Sequence, residues 1–179
     1  MTETRRIMSL LSRLFGTRND PRDAMRPLWH RVVEISREKQ WYADYGVADT
    51  VAGRFDMISA ILCVVLIRLE QNPELKLEPV ALTELFVDDM DGQLRQSGVG
   101  DVVVGKHIGR LMSVLGGRLG AYRDALAQAD DTALRGAIER NLTLVDGAEP
   151  AKTAVALRAF HQAVAALEET DLLAGRIAR

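Results

Sequence analysis

The sequence feature that constrains the fold most is an apolar run inside residues 54–72, which read RFDMISAILCVVLIRLEQN. Between residues 57 and 67 only Ser59 interrupts the apolar side chains, and Asp56 and Arg68 stand at the two ends. A helix that is apolar on every side has no solvent face, so protein or lipid must surround it. Eleven helical residues rise about 16 Å, far short of the roughly 30 Å of a bilayer's hydrocarbon core. The run therefore predicts the buried central helix of a soluble domain.

The rest of the composition is typical of one all-α domain. The 179 residues suffice for a single domain with a sizeable core, and strand patterns are nearly absent. The formal net charge of −2 leaves no basic surplus for phosphates, which argues against nucleic acid as a partner. We expect an all-α, single-domain helical bundle of about six helices around the buried central apolar helix. The lone Cys63 is expected inside it as a small hydrophobe.

Residues 1–20 predict a basic amphipathic N-terminal helix and a linker, ahead of an all-α domain over residues 21–179. In residues 5–15, RRIMSLLSRLF, the apolar positions follow the spacing of one helical face. Such a helix can dock on its own domain, lie on an anionic membrane surface, or belong to a transit-peptide-like presequence. The candidate membrane-facing residues are Arg5, Arg6, Ile7, Leu10, Leu11, Arg13, Leu14 and Phe15.

Five more helices are expected around the central one. Residues 21–40 predict the first, with His30 on its surface, and Asp49 and Thr50 offer N-cap oxygens to the central helix. The inward positions of this first helix are Leu28, Trp29, Val32 and Ile35. Near the C-terminus, helices are expected over 131–144 and 151–169, separated by a break at 147–150. The apolar positions of the last one are Val155, Leu157, Phe160, Val164 and Leu167.

Residues 78–96 predict a helix that carries the acidic cluster FVDDMD. Its apolar positions are Leu82, Leu85, Phe86, Met90 and Leu94. At 100° per residue, Asp89 falls within the apolar arc, whereas Asp88, Asp91 and Arg95 fall on the opposite side. We therefore expect Asp88 and Asp91 to be solvated and Asp89 to be partly buried. A buried carboxylate needs a partner, and the candidates are Arg54, Lys106, His107 and Arg110.

Asp101 can N-cap a long helix that reaches about Ala129. Its apolar stripe is Val104, Ile108, Leu111, Met112, Leu115, Leu119, Tyr122 and Leu126. Its five glycines are Gly105, Gly109, Gly116, Gly117 and Gly120, and each costs about 1 kcal/mol of helix stability relative to alanine. They indicate either close packing against another helix, or a bendable helix or groove that receives another protein.

Two motifs that could carry chemistry are incomplete. Residues 100–107 nearly match a phosphate-binding P-loop, but His107 stands where Ser or Thr should hold magnesium, and no strand precedes it. The DDMD sequence differs from the DDxxD motifs that all-α isoprenoid synthases carry in pairs. It does not fit an EF-hand calcium loop either, because Val87 would occupy the first ligand position. The three histidines are scattered, and the single cysteine is a poor nucleophile when buried. We expect no enzyme activity, no metal and no cofactor.

The run LTELFVDDMDGQLRQSGVGDVVVGKHIGRLMSVLGGRLGAYRDAL, residues 82–126, resembles the ubiquinol–cytochrome c chaperone family. FVDDMD, the LRQSGVGD turn and GRLGAY carry the resemblance. The pair Asp49–Thr50 and the apolar helix ending in Ile67, Arg68 and Leu69 fit the family's upstream half, so the likeness covers roughly residues 25–130.

The resemblance implies a non-catalytic assembly chaperone for the cytochrome bc1 complex, without a cofactor. Such proteins bind newly made cytochrome b or another bc1 subunit, together with a small second assembly factor. The short N-terminus and Arg-, Ala- and Gly-rich composition suggest a bacterial member. The expected location is cytoplasmic, peripheral on the inner face of the cytoplasmic membrane, or the matrix side in a mitochondrion, with an anionic membrane surface as a further partner.

The candidate partner-binding surface is the polar region around the turn between the FVDDMD helix and the glycine-bearing helix. Its residues are Asp88, Asp91, Arg95, Val99, Asp101 and Lys106. They are chosen because polar, solvated groups there have no evident packing role. Two other functions stay open: a magnesium-dependent all-α enzyme that acts on a phosphorylated lipid, and a generic helical homodimerisation module.

Overall fold

The computed structural model describes residues 20–96 and 101–178, with side chains for all of these except 94–96 and 101–107. The helices in this part are α1 (Pro21–Ser36), α2 (Lys39–Ala43), α3 (Val51–Glu70), α4 (Glu78–Gln96), α5 (Asp101–Leu126), α6 (Thr132–Asn141), α7 (Pro150–Ala165) and α8 (Glu169–Leu173). Six of them have ten residues or more, and α2 and α8 have five each. The expected all-α class and the number of main helices are confirmed.

Helix α3 is the buried centre of the bundle. It begins where the Thr50 hydroxyl oxygen accepts a hydrogen bond of 3.1 Å from the Gly53 amide, which confirms Thr50 as the N-cap. Every residue from Asp56 to Ile67 is buried. Helices α1, α4, α5 and α7 all pack against α3, so its apolar surface is covered by protein. Across the part of the chain described, no helix combines the length and apolar character needed to cross a membrane.

Helix α1 ends four residues earlier than residues 21–40 predict. The four expected inward side chains are buried, and His30 is exposed as expected. After Ser36 the chain turns into the short helix α2, which places Trp41 in the core. The indole Nε1 of Trp41 donates a hydrogen bond of 2.8 Å to the Ile35 carbonyl oxygen, so the turn is fixed at the end of α1. Burying this aromatic ring is the reason that one long helix is replaced by two.

The N-terminal end of α3 meets a loop that is distant in sequence. Val47 and Leu144 form an isolated antiparallel bridge, and the Ala48 amide donates 2.9 Å to the Thr143 carbonyl oxygen. A Cβ atom on Gly53 would lie 2.0 Å from the Ala48 carbonyl oxygen. Only glycine therefore lets the first turn of α3 lie this close to the loop.

For two residues of the predicted apolar stripes, the prediction that they face inward is wrong. Met112 on α5 and Val155 on α7 are both exposed. Helix α5 packs on the bundle through Leu115, Tyr122, Ala125 and Leu126, so Met112 lies outside that stripe. Helix α7 likewise buries the side on which Leu157, Phe160 and Val164 lie, away from Val155.

The close-packing interpretation of the glycines in α5 is wrong for four of them. Nothing lies within 4 Å of a Cβ atom built on Gly109, Gly116, Gly117 or Gly120. A glycine that enables close helix packing would have a neighbouring atom there. These residues instead border open space. Gly105 lies among the residues whose side-chain surroundings are not described.

Candidate functional site: two grooves beside helix α5

Two grooves of similar size flank helix α5. One has a volume of about 940 Å³ and lies between α5 and α4. The other has a volume of about 900 Å³ and lies between α5 and the N-terminal half of α3. Volumes of this size are typical of binding sites. Both grooves have mainly apolar walls, but their charges have opposite signs.

The first groove, called the acidic groove below, carries four carboxylates and one guanidinium. Its charged residues are Asp20, Arg22, Glu70, Glu84 and Asp88. Its apolar residues are Leu66, Pro79, Val80, Val87, Ile108, Met112, Leu115 and Leu119. Val80 and Met112 leave large parts of their side chains exposed there, so an occupant could still bury apolar surface.

The second groove, called the arginine groove below, carries four guanidinium groups and no carboxylate. These belong to Arg37, Arg54, Arg110 and Arg118. The apolar residues around them are Val51, Ala52, Phe55, Ile58, Met90, Leu111 and Val114. An apolar cleft with arginines suits a segment that combines apolar side chains with carboxylates or other anions.

Arg118 joins the arginine groove to a buried network. Its Nη2 donates a hydrogen bond of 2.5 Å to Oδ1 of Asp56, and both side chains are nearly buried. The other carboxylate oxygen of Asp56 accepts from the Thr143 amide at 2.9 Å and from the Thr143 hydroxyl at 2.6 Å. The Arg118 guanidinium also lies 5.3 Å from the centroid of the Phe55 ring, within cation–π range. Helices α3 and α5 and the Thr143 loop are thus held together at the base of this groove.

The end of the acidic groove is closed by Arg22. Its guanidinium donates hydrogen bonds to Asp20 at 2.5 Å and to Asp88 at 3.0 Å. The hydrogen bonds from Arg22 hold the pKa of Asp20 below its usual value. This contact ties the start of α1 to the middle of α4. Because both sides are solvent-exposed, the Arg22–Asp88 pair itself contributes little stability.

The predicted partner-binding residues have different surroundings in the structure. Asp88 is exposed as expected, and Asp89 is half-buried as expected. The expectation that Asp91 is solvated is wrong, since it is half-buried. Helix α4 packs against both α1 and α5, which leaves it a narrower solvent face than one apolar stripe suggests. The prediction of Arg54 as a partner for Asp89 is wrong, because Nε of Arg54 lies 2.7 Å from Oδ1 of Asp49 and pairs with that carboxylate.

Several other predicted residues cannot be compared. Arg95, Asp101 and Lys106 lie in helices whose side chains at these positions are outside the description. Val99 and the eight candidate membrane-facing residues, Arg5, Arg6, Ile7, Leu10, Leu11, Arg13, Leu14 and Phe15, lie outside the described residues. Arg110, another suggested partner for Asp89, lines the arginine groove.

The sequence interpretation missed the Asp56–Arg118 pair. In the sequence Asp56 marks the boundary of the apolar run, but in the structure it is buried like the residues after it. Arg118 lies at helical spacing between Leu115 and Tyr122, which are both buried. A charged residue on the inward stripe of a helix is the signal that could have identified it, because such a charge requires a partner.

Cys63 and His161 line neither groove. Cys63 is buried in α3, and burial raises the pKa of its thiol to about 12. Within residues 20–96 and 101–178, no three His, Cys, Asp or Glu side chains are grouped so that they could hold a metal ion. The half-buried His161 has a pKa lowered by desolvation.

Comparisons with a protein family model and with a solved structure agree with each other. The family model described as ubiquinol–cytochrome C chaperone matches residues 43–178. The chain is also similar to a solved structure, the crystal structure of the Cbp3 homologue from Brucella abortus, with 28% sequence identity and a TM-score of 0.76. That similarity covers 96% of this chain and 95% of the other. Among curated proteins, none matches the sequence.

Proposed function

Because this chain belongs to the ubiquinol–cytochrome C chaperone family, we propose that it is an assembly chaperone of the cytochrome bc1 complex that binds cytochrome b during biogenesis. The family match over residues 43–178 is the observation that carries the chaperone role. The resemblance seen in the sequence is confirmed, and the match extends beyond residue 130 into the last helices. Membership in a family of chaperones favours a non-catalytic role.

The arginine groove is the best-suited client site on the described surface. Its walls expose apolar side chains, among them Val51 and Val114. Arg37, Arg54 and Arg110 line the same groove, and of these Arg54 is paired with Asp49 outside the lining. Apolar side chains beside guanidinium groups suit an apolar segment of a membrane protein that ends in acidic residues. The segment that joins α4 to α5, with Asp91, Arg95, Val99, Asp101 and Lys106, is proposed as the polar continuation of this surface, whereas Asp88 belongs to the acidic groove.

Residues 5–15 are proposed to bring the protein to its client. A single basic amphipathic helix gives weak and reversible attachment to an anionic membrane surface. Peripheral attachment at the inner face would place the arginine groove near newly inserted cytochrome b. A small second assembly factor is proposed as a further partner on the basis of the family resemblance.

The client site is tested by two substitutions on the same helix. Val114 lies in the arginine groove and Met112 in the acidic groove, with exposed fractions of 36% and 42%. The parent protein, Val114→Glu and Met112→Glu are tagged and recovered from solubilised membranes of the native host, and the eluates are probed for cytochrome b. We expect cytochrome b with the parent and with Met112→Glu, and its loss with Val114→Glu.

The other outcomes separate the client site from the chaperone role. Equal recovery by all three proteins would keep the chaperone role and remove the arginine groove as its site. No recovery with the parent, at normal amounts of both proteins, would contradict cytochrome b binding. A concentration-dependent mass in that case would favour the homodimerisation module, and stabilisation by magnesium would favour the enzyme that acts on a phosphorylated lipid.

A further inference from the structure

The acidic groove lies beside the point where residues 1–19 join the domain. Asp20 and Arg22 are part of its lining, and Arg22 is bonded to Asp88 on the opposite wall. A segment that precedes Asp20 therefore starts at the groove. The linker of residues 16–19 spans at most about 14 Å when extended, which keeps residues 5–15 close to this groove.

The charges of the segment and the groove are complementary. Residues 5–18 contain four arginines, Arg5, Arg6, Arg13 and Arg18, and no acidic residue. With its ion-pair partner Arg123 included, the acidic groove has four carboxylates and two guanidinium groups, a net charge of −2. The arginine groove has four guanidinium groups, two of which pair with Asp49 and Asp56, so its net charge is +2. Glu84, in the middle of the α4 wall, has no ion-pair partner among the residues that the structure describes. The segment therefore matches one groove and is repelled by the other.

The length of a helix formed by residues 5–15 also matches the length of the acidic groove. From Pro79 to Asp88 the α4 wall is about 14 Å long, and from Ile108 to Leu119 the α5 wall is about 16 Å long, at the helical rise of 1.5 Å per residue. A helix of residues 5–15 is about 16 Å long. Its apolar face, Ile7, Leu10, Leu11, Leu14 and Phe15, corresponds to the exposed apolar walls of the groove.

We infer that residues 5–15 dock as a helix in the acidic groove of their own chain. The helix covers Val80 and Met112, and its arginines lie beside the four carboxylates of the acidic groove. This goes beyond the proposed function, because it assigns the segment a binding site on the protein itself. A membrane surface then competes with the groove for the same apolar face, so docking and membrane attachment exclude each other.

Chemical cross-linking tests the docking with a matched control. Leu11→Cys is combined with Met112→Cys in one protein and with Val114→Cys in another, and both purified proteins are treated with a short bis-maleimide at low concentration. Cys63 does not interfere, because it is buried and its thiol pKa is about 12. We expect an intramolecular product with the Met112 pair and its absence with the Val114 pair, although both partners are exposed on the same helix.

Charge reversal separates this docking from non-specific contact. Arg5→Glu, Arg6→Glu and Arg13→Glu, introduced together, should abolish the Met112 product, and 0.5 M salt should reduce it. Equal products with Met112 and Val114 would overturn the inference. A product found only between two chains would also overturn it and assign the groove to a second copy. Because only purified protein is used, failure of the docking and failure of cytochrome b binding are distinguishable.

Discussion

Arg118 on α5 and Asp56 on α3 form a buried ion pair, with 2.5 Å between Nη2 and Oδ1, at the base of the arginine groove. The pair positions the two helices that form the walls of the groove. Its geometry therefore links the stability of the core to the shape of the candidate client site. Residues that lie 62 positions apart in the sequence make this connection.

Removing one partner of this pair should destabilise the protein strongly. Asp56→Ala leaves the Arg118 guanidinium buried without its counter-charge and removes the acceptor of Thr143, so we expect a loss of about 3–5 kcal/mol in the free energy of unfolding. Asp49→Ala, which breaks the exposed Asp49–Arg54 pair, should cost about 0–1 kcal/mol. Urea unfolding followed by circular dichroism measures both. Similar losses for the two variants would contradict a buried network.

Two glycine substitutions should have effects of opposite sign. Gly53→Ala places a Cβ atom 2.0 Å from the Ala48 carbonyl oxygen, so the α3 N-terminus or the loop must shift, at a cost of about 1–3 kcal/mol. Gly117→Ala meets no atom within 4 Å and removes the flexibility of a helical glycine, so it should stabilise by about 0.5–1 kcal/mol. The midpoint of thermal unfolding should fall for the first variant and rise for the second.

The hydroxyl group of Tyr122 should be dispensable. It is fully buried and has no hydrogen-bond partner among the described residues, and burial raises its pKa. Tyr122→Phe removes an unsatisfied polar group, so the free energy of unfolding should stay the same or rise. In contrast, Tyr42→Phe removes a bond of 2.7 Å to the Ser36 carbonyl oxygen and should cost about 0.5–1.5 kcal/mol. A loss for Tyr122→Phe as large as that for Tyr42→Phe would indicate a partner for its hydroxyl group.

Cys63 should not react with thiol reagents in the folded protein. With a thiol pKa of about 12, only about one thiol in ten thousand is ionised at pH 8, and the side chain is enclosed by the bundle. Titration with a chromogenic disulfide at pH 8 should give no product in buffer and one equivalent in denaturant. Rapid reaction in buffer would show that α3 is less protected than its packing indicates.

Much of the fold could be predicted from hydrophobic patterns. Residues 54–72 predicted the central helix, and Thr50 its N-cap, because an uninterrupted apolar run and a capping hydroxyl are local properties of the sequence. The bounds 78–96 agree with helix α4. The end of α1 could not be predicted in this way, since it depends on the burial of Trp41, which is a tertiary contact.

The candidate site could be predicted only in part. The FVDDMD motif indicated a candidate binding surface on α4, and Asp88 of this motif lines the acidic groove. The two oppositely charged grooves depend on how α5 is placed between α3 and α4, which no local pattern specifies. The same placement explains why Met112 is exposed in the apolar stripe and why Gly116 and Gly117 border open space.

The contact between Asp56 and Thr143 has a kinetic consequence. Closing it joins residues separated by 87 positions, so its loop-closure entropy is larger than that of the local contacts within each helix. We expect the contact to form late in folding, so that its loss accelerates unfolding more than it slows folding. The lifetime of the folded protein should therefore depend on this carboxylate more than the speed of folding does.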